Sequence, residues 1–311
     1  MPAPVPLPVR LFLASREMRL HHYLWHGARN GWLTTFSERA KTRFREIGWE
    51  PPRPAVRLGP DGRRQPILDH DSGEDFLFMH RQMIAALNDR LAEVADPAYP
   101  RIEGWARVPA PDDREYPVPP AFEVPDNPGL TEAVRSRKTG DFYHDTMVPR
   151  ERRFTDPDQL RSVTLGRLGA DLEFTIHNAM HMRWCTAVTR LRPDPAESED
   201  PRAIPFEWDD LANDWLGDTY SSHVNDVFWK LHGWVDARID GWAEANQVEE
   251  IEWTGTWEGP HGHAPHPDDP PHHARLTESA AESRERVAEI EDVLRAVGGD
   301  IPAGFRMIAE L

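Results

Sequence analysis

Histidine pairs four residues apart occur twice in this chain, as His22 with His26 and as His177 with His181. On a helix such a pair puts both imidazoles one turn apart on the same face. Two single histidines sit in similar apolar rows. One row reads Phe76, His80, Ile84, Leu87, Leu91, with Met83 beside it, and the other Val224, Phe228, His232, Val235, Ile239, Trp242. The row around the second pair reads Phe174, His177, His181, Trp184, Val188, and the first pair lies near Met18 and Trp25. A buried imidazole without a partner loses about 1–3 kcal/mol. Several of them would take up much of the ~5–15 kcal/mol that stabilises a typical domain. A backbone carbonyl can satisfy any one of them singly; a shared metal satisfies all of them together.

Imidazole suits zinc, copper, iron and nickel. A di-iron bundle needs Glu-x-x-His on two helices, and Glu173 is one residue too far from His177 for that motif. A single zinc takes three or four protein ligands and leaves other inward histidines unexplained. Six neutral imidazoles, three per ion, match two copper ions that cycle between Cu(I) and Cu(II).

Helices must position these groups. The pattern predicts one from about Leu11 to Asn30 and a second from Ser72 to about Val94, with Ser72 as cap supported by Asp75. A third is predicted from about Asp171 to Arg190, after a short helix beyond Asp156, and a fourth after Ser221 and Ser222 to about Ala245. A fifth, Thr277 to Val297, is charged on most faces and is expected to pack peripherally. The expected fold is mainly α: a four-helix bundle holding the metal pair, with long Pro-rich loops and a C-terminal peripheral helix. Residues 1–311 read as one domain, with a helical core over about 11–245 and a His/Pro-rich loop and final helix over 246–311.

Composition narrows the class. The net charge of −17 argues against a nucleic-acid groove or an anionic membrane as partner. Cys185 is the one cysteine, so neither an intrachain disulfide nor a cysteine-based metal site can form. With no signal-peptide pattern and no apolar span, a cytoplasmic protein is expected. Many of the 30 prolines gather in 51–66, 97–128 and 193–205, which read as irregular connections.

Three segments resemble the tyrosinase family of type 3 binuclear copper proteins. His70-Asp-Ser-Gly-Glu-Asp-Phe76-Leu-Phe-Met-His80-Arg81 resembles its first-copper signature, departing at Met79 and Asn88. His177-Asn178-Ala-Met-His181 resembles the His-Asn-x-x-His pair of the second copper. Asn225-Asp-Val-Phe228-Trp229-Lys-Leu-His232-Gly-Trp-Val-Asp236 resembles the segment that carries the last ligand, with Leu231 in place of the first His of a common His-His. The resemblance spans roughly residues 20–245.

It implies a first copper on His70, His80 and one first-helix histidine. His26 is preferred there, because His26-Gly27 resembles a His-Gly in some relatives, and His22 is the alternative. It implies a second copper on His177, His181 and His232. The implied activity is oxidation of a small phenol by O2, from monophenol to o-diphenol and from o-diphenol to o-quinone. An o-aminophenol or catechol oxidase and a non-enzymatic dioxygen binder are the alternatives.

In the same terms Asn178 is the catalytic side chain that helps to hold a phenol-deprotonating water. Asp236 fixes a ligand imidazole, and Met182 lines the substrate entrance. Glu173 is read as a solvated helix-surface residue, with the carboxylate that polarises that water as the other reading, Arg81 as part of an ion pair and Cys185 as a small buried hydrophobe. The stretch Trp253–His273, with His261, His263, His266, His272 and His273, reads as a solvated loop, with copper gathering or a lid as the other readings. A copper-delivery partner would fit the cofactor.

Overall fold

The chain, seen here as a computed structural model, is described over residues 4–124, 127–187, 206–253, 256–257, 259, 284, 287–288 and 290–291. It is mainly helical, and a two-stranded hairpin is the only sheet among the described residues.

The predicted first helix is two. Helix α1 spans Leu7–Leu13 and α2 spans Arg16–Gly31, and the chain breaks between them because the Ser15 hydroxyl caps α2 by accepting from the Met18 N–H. Helix α3 (Glu38–Glu46) and the hairpin β1 (Val56–Leu58) and β2 (Arg64–Pro66), paired Val56 to Pro66, fill the long connection that follows.

Helix α4 spans Ser72–Val94, the bounds expected from the sequence. Its start differs in detail: Asp71 is the capping residue, in a left-handed conformation at φ 59, and makes no side-chain cap. Asp75 turns instead to Arg53 at 2.7 Å and to the backbone N–H of Trp257 at 2.8 Å.

Helix α5 spans Pro128–Arg137. Helix α6 opens as Gly140–Phe142, passes through a π-helical turn at Tyr143–Met147 and continues as Val148–Thr155. The expected short helix after Asp156 is α7, Pro157–Arg161, capped by the Asp156 carboxylate. Helix α8 starts earlier than its pattern suggested: Leu165–Leu172, a π turn at Glu173–His177, then Asn178–Trp184. Helix α9 spans Asp226–Asn246, and Asn225 caps it by accepting from the Val227 N–H. Most of the predicted fifth helix and the histidines of 261–273 lie outside the described residues.

Two close approaches bring the histidine-bearing helices together. Helix α4 crosses α8 almost backbone to backbone: a Cβ on Gly73 would stand 2.1 Å from the Ala170 nitrogen, and one on Gly169 2.1 Å from the Gly73 carbonyl oxygen. Glycine is required at both positions. Helix α9 packs on α4 and α8, and the buried apolar residues of α1, α2, α4, α8 and α9 form one continuous core. No helix among the described residues is long and apolar enough to cross a membrane.

Candidate metal centre

Three imidazoles meet where α8 and α9 face each other. The Nε2 atoms of His177 and His181 are 3.0 Å apart, those of His181 and His232 3.2 Å, and those of His177 and His232 3.4 Å. The other ring nitrogens of the pair on α8 are held by oxygen acceptors. His181 Nδ1–H donates to the Leu216 carbonyl at 2.8 Å, and His177 Nδ1–H donates to Asn178 Oδ1 at 3.1 Å.

A neutral imidazole carries one N–H, so Nε2 of both rings must be a bare lone pair. Burial pushes His177 down to about 3 and holds His181 and His232 well below the ordinary histidine value, so all three are neutral near pH 7. Lone pairs facing each other at 3.0 Å repel, and a cation between them removes the repulsion. Metal–imidazole bonds of about 2.0–2.1 Å at tetrahedral to trigonal angles put ligand nitrogens about 3.3–3.6 Å apart, close to what is seen.

A second convergence lies beside the first. His22 and His26 on α2 and His80 on α4 offer ligand nitrogens that all lie within 4.8 Å of one another. His22 Nδ1–H donates to the Thr219 carbonyl at 2.6 Å and His80 Nδ1–H to the Phe76 carbonyl at 2.8 Å. That again leaves Nε2 as the bare atom, and both Nε2 atoms are buried without a hydrogen-bond partner. Burial pushes His22 down to about 4 and lowers His26 and His80 well below the ordinary value.

His80 also groups with His177 and His232 within 4.8 Å, and its ring stacks on His232 at 4.2 Å between centroids. The two convergences therefore share a border at His80. The grouped residues are all buried histidines, and they can hold a metal ion.

The structure thus brings together His26, His80, His177, His181 and His232. It also brings in His22, so both histidines of α2 reach the cluster. His70 is not brought in. Its Nε2 binds the Pro54 carbonyl at 2.6 Å, and the left-handed Asp71 turns the chain between it and α4.

Asn178 is buried beside His177 and fixes that ring's tautomer through its Oδ1. Asp236 does not hold an imidazole. Its carboxylate takes Arg81 Nε at 2.7 Å, an ion pair that Asp240 joins, while Nδ1 of His232 is without a partner. Met182 is fully buried in the core, not at an opening. Cys185 is buried and unpaired, as expected.

Glu173 is the largest departure. It is 2% exposed and pairs with Arg29 at 2.7 Å, on the helix face one turn before His177. The row read from the sequence took Phe174, three residues before His177, as its inward member and left Glu173, four residues before it, to solvent. Phe174 is half-buried.

Two more residues of the centre escaped the pattern, and a third was in its row. His223 is buried with its ring 5.0 Å from His22, and its Nε2–H donates to the Leu13 carbonyl. The available clue was a histidine inside the uncharged run Tyr220-Ser-Ser-His-Val. Arg29 carries the same face as His22 and His26, at spacings of seven and three. Phe228, placed in the core row, stacks on His232 at 3.9 Å and also lies within 5.6–6.3 Å of His22, His80, His181 and His223.

No protein-family model matches this chain, and no curated protein matches its sequence.

Proposed function

We propose that this chain is a copper-dependent oxidase of small phenols, built as a four-helix bundle in which α2, α4, α8 and α9 hold two copper ions. His22, His26 and His80 would hold one ion, and His177, His181 and His232 the other. The observation that carries this reading is the set of Nδ1–H groups committed to oxygen acceptors on His22, His80, His177 and His181. Nε2 is thereby left as the bare nitrogen on each of these four rings.

The donor set fits copper. Converging nitrogens without thiolate or carboxylate suit a borderline ion, and copper(II) binds such ligands more tightly than the other divalent first-row metals. Two sets of three also leave each ion an open position, as a catalytic site requires. When bound, the pair would supply two one-electron redox centres that bind dioxygen and pass electrons to it from the phenol.

The protein's own groups then have definite tasks. The carbonyls of Thr219, Phe76 and Leu216 hold three ligand rings in one tautomer and orientation, and Asn178 Oδ1 does the same for His177. Phe76 lies 4.6 Å from His80 and 4.8 Å from His177, and Phe228 stacks on His232; together they keep water away. Asn178, next to a ligand ring, is the polar group placed to help orient a water that takes the phenol proton. A cytoplasmic setting belongs to the same proposal, since the buried Cys185 needs no oxidising compartment.

One observation favours a second reading. The six histidines are 0–6% exposed, so dioxygen reaches them more readily than an aromatic ring does. That suits a dioxygen-binding protein without turnover.

Oxygen uptake by copper-loaded protein with tyrosine, catechol and 2-aminophenol separates the readings. Uptake with coloured product from catechol is expected, and uptake with tyrosine adds the hydroxylase. Copper-loaded protein that consumes no oxygen with any of the three refutes the oxidase and leaves the binder.

A further inference from the structure

Arg29 and Glu173 form a buried ion pair at the border of the two histidine sets. The guanidinium presents a fork, Nη1 to Glu173 Oε1 at 2.7 Å and Nη2 to Oε2 at 3.1 Å, and Nη2 also donates to the Ser72 carbonyl at 2.8 Å. The two side chains are 0% and 3% exposed. Arg29 Cζ lies 4.4 Å from the centre of the Trp25 ring.

The position along the chain is what matters. Arg29 follows His26 by three residues, Glu173 precedes His177 by four, and Ser72 opens the helix that carries His80. One guanidinium therefore joins α2, α4 and α8, the helices that supply five of the six converging imidazoles. Glu173 is also the first residue of the π turn that His177 ends, so a force on its carboxylate acts directly on the turn that aims His177. A planar, bidentate pair fixes distance and angle together, which a single hydrogen bond cannot do.

Charge adds a second effect. Arg29 is near enough to His26 and His80 to disfavour positive charge on both. Without the carboxylate, that guanidinium would stand uncompensated beside two metal cations. Burial pushes the Glu173 carboxyl up, and Arg29 opposes the push and favours the charged form.

We infer that Arg29 and Glu173 are positioning residues that set the separation between the two histidine sets, and so the magnetic and chemical coupling of the metals they hold. The inference rests on the two-copper reading above. Neither residue touches substrate. Each acts through the helix turns that carry His26 and His177.

The test uses full-length protein loaded with copper(II), as wild type, Glu173→Gln and Arg29→Lys. Copper content, electron paramagnetic resonance and the rate of copper loss to a chelator are measured, with circular dichroism to check folding. In the wild type a coupled pair gives no resonance signal. In folded Glu173→Gln a cupric signal is expected to appear, with copper held about 10–100-fold more weakly, the usual cost of losing an outer hydrogen-bond partner. Arg29→Lys keeps the charge and loses the fork, so it should show the signal with a smaller loss of affinity. It decides the matter if Glu173→Gln does not fold. Folded variants that stay silent and release copper at the wild-type rate overturn the inference alone. A wild type that holds no coupled pair overturns the two-copper reading and the inference with it.

Discussion

The histidine set on α8 and α9 and the set on α2 and α4 have the same composition and a different finish. Each combines a pair four residues apart with one histidine from a neighbouring helix. In the first, the three Nε2 atoms are already 3.0–3.4 Å apart, near the spacing that a metal demands. In the second, the ring centroids lie 4.8–5.9 Å apart against 4.5–5.4 Å in the first, and His26 is the most exposed of the six at 6%. The two helices also differ in regularity: α8 carries a π turn that ends at His177, whereas α2 is a regular helix. The set on α8 and α9 is therefore the better preorganised of the two.

The largest expected effect comes from the shared border. His80→Ala should cost the ion of the α2/α4 set outright and weaken the other, so that copper raises the melting temperature much less than in the wild type. The wild type at copper 100-fold above its dissociation constant should gain about 2.7 kcal/mol. A wild-type-like shift in His80→Ala would show that the two sets are independent of it.

Next, His181→Ala and His26→Ala separate the halves. Each should retain one ion, and the ion remaining in His26→Ala, in the preorganised set, should resist a chelator about 10–100-fold longer. Equal retention by the two variants would erase the difference drawn between the sets.

Acid sharpens the comparison further. In the metal-free protein His22 and His177 hold folded values of about 4 and about 3, below the ~6.5 of an unfolded histidine. The unfolded chain therefore takes up protons first. Stability should be full above about pH 6.5 and fall steadily towards pH 4. Urea midpoints measured across that range check this, and a flat profile would mean that these rings are not buried neutral.

Asn178→Ala should be milder, with about a tenfold loss of copper affinity confined to the His177 set, read by the same chelator competition. The smallest effect belongs to His70→Ala. It loses a hydrogen bond to Pro54 worth about 1 kcal/mol and should leave copper content unchanged. Loss of an ion in that variant would restore it as a ligand.

Much of this arrangement was legible because an amphipathic helix advertises its inner face. The rows around His80 and His232 and the bounds of α4 follow from period alone, and each named histidine on those rows is buried. What was not legible depended on local breaks in period or on contacts distant in sequence. Glu173 lies one turn before His177, so its spacing allowed burial, but the partner that makes a buried carboxylate tenable, Arg29, is distant in sequence. His70 was drawn in by motif resemblance, but a left-handed residue at Asp71 sends its ring to the hairpin side. Asp236 has the right helical spacing from His232, yet Arg81 on α4 competes for its carboxylate and wins. The partners of the ligand rings, Thr219 and Leu216, act through backbone carbonyls, which no side-chain pattern announces.

The most direct measurement is the copper content of the full-length protein after loading and exhaustive dialysis, taken beside His177→Ala/His181→Ala. Two copper ions per chain in the wild type, with at least one lost in the variant, is the expected result. A wild type that keeps no copper, or a variant that keeps as much as the wild type, would show that these imidazoles do not share metal ions.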